Sequence, residues 1–237
     1  MTATMDHHIR LNRTPFRITP PAYKSILALS GHLFCPRSAV LPLYQADLSA
    51  GSLMLPESRV LARLLAHGVS GAAFDHAVRI DNVLQKKAPA TAIRQARLIR
   101  LRLHSIAAEA WPLIADGDKE LSSQLLFAAA LKHSALLTDF VRNVVAGDVR
   151  RLESKLSLRG WAPFLADCAT REPAVATWVA ATRVKLLQVI LRMLVEARYL
   201  DGSSSLNLLP PHISPVVRRL LIHSGELNLL RTMELQA

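Results

Sequence analysis

Two cysteines, nine glycines and no apolar run long enough to cross a bilayer set the first limits on this chain of 237 residues. Cys35 and Cys168 stand far apart in no C-x-x-C pairing, which argues against a disulfide framework or a thiolate zinc site and fits a reducing cytoplasm. A membrane span needs about 20 uninterrupted apolar residues. The best stretch, Leu125 to Val145, is broken by Lys132, His133, Asp139 and Arg142, so it reads as a buried helix. Met1 to Pro21 scatters Arg10, Arg13 and Arg17 among polar residues without the apolar segment of a signal peptide, so cytoplasmic residence is expected. The phosphate-cradling patterns G-x-x-x-x-G-K-[ST] and G-x-G-x-x-G are missing, and so is the zinc-binding H-E-x-x-H. Nucleotide hydrolysis and dinucleotide redox chemistry are therefore disfavoured. No cofactor, metal ion or small-molecule substrate is expected, and the chain reads as non-enzymatic.

What is present is a folding composition, 51% apolar, with 29 Lys and Arg against 18 Asp and Glu, a net charge of +11. Such a balance favours polyanions, nucleic acid among them. The excess is uneven: residues 1–110 carry 14 basic and 6 acidic side chains, residues 111–155 carry 6 of each, and residues 156–237 carry 9 and 6. Two basic ends flank a neutral middle.

The periodicity predicts an all-α protein in four stretches. Residues 1–47, punctuated by Pro15, Pro20, Pro21, Pro36 and Pro42, read as an extended basic arm. In residues 48–110, Val60, Leu61, Leu64 and Leu65 mark a first helix stopped by Gly68, and Phe74, Ala77 and Val78 mark a second capped by Ser70. Pro89 opens a third helix, running to Ile106, because its missing N–H has no partner to lose there. Three helices with a basic third make a helix-turn-helix candidate. Residues 111–155 form a helical spacer, with Leu121, Leu125, Ala128, Leu131, Leu136, Phe140 and Val144 inside and Gly147 as the stop. Residues 156–237 carry a helix from Ser157 with Trp161, Phe164 and Leu165, then one over about Thr177 to Leu200. The alternating run Ser205 to Leu208 follows as a possible strand, and a last helix opens at Ser214-Pro215. That order resembles a winged helix with at most a short β ribbon.

Asp116, Asp118 and Glu120 could together hold Mg²⁺, but acidic residues at a helix start are favoured by the helix dipole, and capping is the preferred reading. The positive signals are basic. In the third helix Ala92, Ala96, Ile99 and Leu103 face the core while Thr91, Arg94 and Arg97 face out, with Lys86 and Lys87 just before them. Leu98 and Leu101 join the outer face further along, which requires a cover there. In the helix ending near Leu200, Lys185, Gln188 and Arg192 form an outward stripe opposite Leu186, Ile190, Met193 and Ala197. Arg presents paired donors that match a phosphate or the acceptor edge of guanine, and Gln can read adenine. Arg10, Arg13 and Arg17 add an arm able to follow a phosphate backbone. A solvated basic helix face is the competing reading of each stripe.

From about Leu48 onward the chain resembles the BrxA family of the bacteriophage-exclusion (BREX) defence systems. The resemblance rests on Glu57-Ser58-Arg59, on the block Leu84 to Thr91, on Ile114 to Leu121, and on Lys132-His133-Ser134 with Asp139-Phe140. It continues through Thr182, Lys185-Leu186 and Gln188 to Glu196-Ala197-Arg198-Tyr199-Leu200. It implies a small, helical, cytoplasmic bacterial protein of a multi-gene phage-resistance locus, with helix-turn-helix elements and an ability to bind DNA. It implies no catalysis. The first 45 residues depart from the family pattern.

Two functions follow as expectations. The favoured one is a double-stranded DNA-binding component that works mainly through phosphate contacts. The alternative is a scaffold that holds other BREX proteins.

Overall fold

The computed structural model describes residues 43–236, so the arm residues Arg10, Arg13 and Arg17 lie outside the described part. Among the described residues the regular elements are helices, and no strand forms.

Helix α1 (Leu55–Ala66) begins with Pro56 in its first turn. Gly68, at φ 76°, ends it. There the Gly68 N–H donates to Leu65 O and the Val69 N–H to Leu64 O, both at 2.9 Å, the two bonds of a Schellman cap. α2 (Gly71–Arg79) buries the expected Phe74, Ala77 and Val78. α3 (Pro89–Ser105) starts at its proline and buries Ala92, Ala96, Ile99 and Leu103 as the wheel requires. Leu98 is covered but Leu101 stays half exposed, so the predicted cover is only partial. The α2–α3 connector spans residues 80–88. It is longer than the turn of about 3–4 residues that joins two helices of a tight helix-turn-helix.

A short helix that periodicity had not separated, α4 (Ala110–Asp116), packs on α1. Asp118 then caps α5 (Lys119–His133), accepting a hydrogen bond from the Leu121 N–H at 2.7 Å. Asp116 pairs instead with Arg63 at 2.7 Å. α5 is buried on every side from Ser122 to Leu131, the pattern of a central helix. It touches α1, α3, α4, α10 and α11. Each large side chain such as Phe127 contributes about 1.5–3 kcal/mol by leaving water. The long helical region breaks at Ser134, which caps α6 (Ala135–Phe140). A π turn, Val141–Val145, leads into α7 (Ala146–Arg150), so Gly147 is inside the helix and does not end it.

α8 (Trp161–Arg171) sets Phe164 and Trp161 edge-to-face with Phe140, with ring centroids 5.4 and 5.6 Å apart. α9 (Ala180–Glu196) is followed by two antiparallel bridges, Leu200 with Leu208 and Lys155 with Asn207, where a strand was expected. α10 (Pro215–His223), capped by the Ser214 hydroxyl, and α11 (Leu227–Met233) complete the chain. Apolar side chains from residues 48–110, 111–155 and 156–236 share one core, which runs from Tyr44 to Leu235.

Candidate nucleic-acid interface

The basic third helix emerges from a connector that is held rather than loose. The Asn82 side chain clips Lys86 twice: its Oδ1 accepts from the Lys86 N–H at 3.0 Å and its Nδ2 donates to Lys86 O at 3.1 Å. The Lys86 ammonium pairs with Glu57 of α1, both side chains mostly buried. Burial raises the Glu57 pKa, but the Lys86 hydrogen bond, a backbone hydrogen bond and the Lys86 charge outweigh it and leave the carboxyl below its usual range. Lys86 is thus engaged with an acidic neighbour, while Lys87 remains exposed.

Along α3, Arg94 and Arg97 are exposed and Thr91 is half-buried. Neither arginine nor Lys87 has an ion pair among the described residues. Arg100, one turn on, instead turns to α2, 3.6 Å from Asp75 and 5.3 Å from the centre of the Phe74 ring. On α9, Lys185 and Gln188 are exposed, and Arg192 is exposed but 3.3 Å from Glu196. Arg183 is half-buried and donates to Trp178 O and Ala176 O at 2.8 and 2.9 Å.

The two basic helices converge on one short segment. Arg102, buried on α3, donates to Ser52 O at 2.6 Å and Gly51 O at 3.2 Å. Glu196 of α9 accepts from the Ser52 hydroxyl and the Leu53 N–H, each at 2.8 Å. Beside this segment opens a cleft of about 1270 Å³. Gln95 of α3 and Arg192 of α9 both line it, as does the start of α5. Glu57 lines it too, so the cleft borders both predicted surfaces. Its lining holds five acidic and three basic side chains, the reverse of the charge balance of the whole chain.

Residue types alone did not single out Arg198. It lines the cleft at φ 63°, in a left-handed position that ends α9 and that glycine usually takes. A non-glycine residue at the end of an apolar helix, just before the turn Asp201-Gly202, was the available signal. Asp201 fixes that turn by accepting from the Ser205 hydroxyl and the Asn207 side chain, both at 2.6 Å, and these bonds lower its pKa. No helix among the described residues is long and apolar enough to cross a membrane.

The chain is similar to known proteins over most of its length. The sequence profile of the BrxA family matches residues 42–225. The chain is 38% identical over 193 residues to a BREX protein BrxA of Paramagnetospirillum magneticum, covering 81% of this chain and 97% of the relative. It is 33% identical over 188 residues to a BREX protein BrxA of Escherichia coli O9:H4, covering 79% of this chain and 88% of the relative. The fold is similar to a crystal structure of an uncharacterized protein from Magnetospirillum magneticum. The TM-score is 0.76 at 36% identity, with 82% of this chain and all of that one covered.

Proposed function

Because the chain belongs to the BrxA family of bacteriophage-exclusion proteins, we propose that it is a non-catalytic component of phage defence that grips double-stranded DNA through phosphate contacts from α3 and α9. The observation that carries this reading is the row Lys87, Arg94 and Arg97, exposed and without carboxylate partners among the described residues. Cations held on a helix but left unneutralised are suited to replace the counterions of a duplex. Lys185 and Gln188 supply the second contact on α9. Lys86 orients the connector through Glu57, and Arg192, tied to Glu196, contributes less.

The bridges Leu200–Leu208 and Lys155–Asn207 around α8 and α9 support a winged-helix reading of the C-terminal part, with the Asp201 to Ser205 turn as its wing. The cytoplasm is the proposed location and other BREX proteins are proposed partners. A scaffold role is the second reading, favoured by the half-exposed Leu101 one turn beyond Arg97. Titrating a random-sequence duplex with the full chain at rising salt tests the first: affinity falls steeply with salt if phosphates are the ligand, and a salt-insensitive complex overturns it.

A further inference from the structure

The cleft between α3, α5 and α9 is poorly suited to DNA, because its lining carries the acidic excess of an otherwise basic protein. Its volume of about 1270 Å³ exceeds that of compact small-molecule pockets, roughly 300–1,000 Å³. An elongated occupant fits such a space better than a compact one.

The unmet groups say what chemistry would fill it. The Ser123 side chain lines the cleft at 5% exposure, and its hydroxyl has no hydrogen-bond partner among the described residues. Gln95 lines the cleft too, and its Oε1 is buried without a partner among the described residues. A buried acceptor left unpaired is unfavourable, so a ligand that donates there supplies the hydrogen bond it lacks. Glu120 is exposed; among the described residues it is engaged only by Gln124 at 3.3 Å and keeps acceptor capacity. Met54, Val195 and Leu209 add apolar wall to the same lining. Acceptors combined with apolar wall match a side chain with an aliphatic stem and a donor-rich cationic head.

We propose that this cleft is a docking site for an extended, arginine-containing segment of a partner protein. Guanidinium groups meet Glu120 and the Gln95 and Ser123 acceptors, and the stems lie on Met54 and Val195. The site shares its Arg192 edge with the proposed DNA surface, whose ligand has the opposite charge.

The probe is a fluorescein-labelled nonapeptide of alternating Arg and Leu, titrated into the full chain by anisotropy, with an otherwise identical peptide bearing Gln for Arg. The Arg peptide binds saturably and the Gln peptide does not. Glu120→Lys, an exposed change, weakens peptide binding by about tenfold or more through like-charge repulsion and leaves duplex binding unchanged. Ser123→Leu, which fills the cleft from α5, does the same, and a thermal melt confirms that each variant is folded. Equal binding of the Gln peptide, full binding by both variants, or displacement by spermidine at matched charge, which would mark a small-cation site, overturns the proposal. Loss of duplex binding alone in a Lys87→Ala, Arg94→Ala chain bears only on the DNA reading, so the two failures are distinguishable.

Discussion

Arg102 and Glu196, on different helices, hold opposite sides of Ser52: the guanidinium takes its carbonyl at 2.6 Å and the carboxylate its hydroxyl at 2.8 Å. The 51–53 segment therefore ties α3 to α9 and sets how the two basic helices stand relative to one another. Arg102 lies inside at 3% exposure, and the Glu196 side chain is partly buried at 28%. Arg102→Leu removes charge-assisted bonds to the Ser52 and Gly51 carbonyls and should destabilise the fold by about 2–4 kcal/mol. Urea denaturation reads this as a lower midpoint at unchanged slope. An unchanged midpoint would mean that the tether is not what joins the helices.

Glu57 gives the fold an acid-sensitive joint. Its folded pKa is lowered from the ordinary 4.5, so its stabilising contribution is complete above that value and is lost as pH falls through the folded pKa. Glu57→Gln never has that contribution. The stability gap between the parent chain and Glu57→Gln should thus be full near about pH 7 and close progressively below about pH 4.5. Urea midpoints across that range check it, and a gap that widens on acidification would reverse the assignment.

Leu152 sits at φ 58° with 91% of its surface in water. It accepts a left-handed conformation that disfavours a Cβ, and it buries almost nothing in return. Leu152→Gly should raise stability by about 1 kcal/mol, the relief of left-handed strain less the added freedom of glycine in the unfolded chain. A higher thermal midpoint with duplex binding unaltered is the expected result.

Tyr44 anchors the start of the described chain. Its hydroxyl donates to Asp139 at 2.6 Å, and Arg171 reaches the same carboxylate at 2.8 Å while lying over the tyrosine ring. Burial, with the Asp139 hydrogen bond and charge next, pushes the Tyr44 phenol far above its usual range, so it donates at any working pH. Tyr44→Phe should cost about 1.5–3 kcal/mol, as expected for a hydrogen bond to a charged group. Thermal melting checks the loss.

Helix positions and their buried faces were legible because they are local: Gly68, Pro89 and Ser214 carry their capping chemistry in the sequence, and the α3 stripe follows from 3.6 residues per turn. The acid triplet was legible for the same reason, with Asp118 capping α5. Pairings across the chain were not. Lys86 finds Glu57 29 residues away, and Glu196 finds Leu53 across 143 residues, so no local pattern records either contact. The short α4 was hidden because Pro112 interrupts its apolar pattern, and Ser205 to Leu208 made isolated bridges because its neighbours at Leu200 and Lys155 offer only single-residue pairing. The cleft needed three helices from separate parts of the chain and has no counterpart in any one of them.

In the DNA complex proposed above, Lys87 and Arg94 meet phosphates while Lys86, held by Glu57, does not. The most direct test is the slope of log affinity against log salt for a random-sequence duplex, measured for the parent chain, for Lys87→Ala with Arg94→Ala, and for Lys86→Ala. Each lost phosphate contact should flatten the slope by about 0.9, so the double variant loses roughly 1.8 while Lys86→Ala barely changes it. A double variant with the parent slope and affinity would contradict the account.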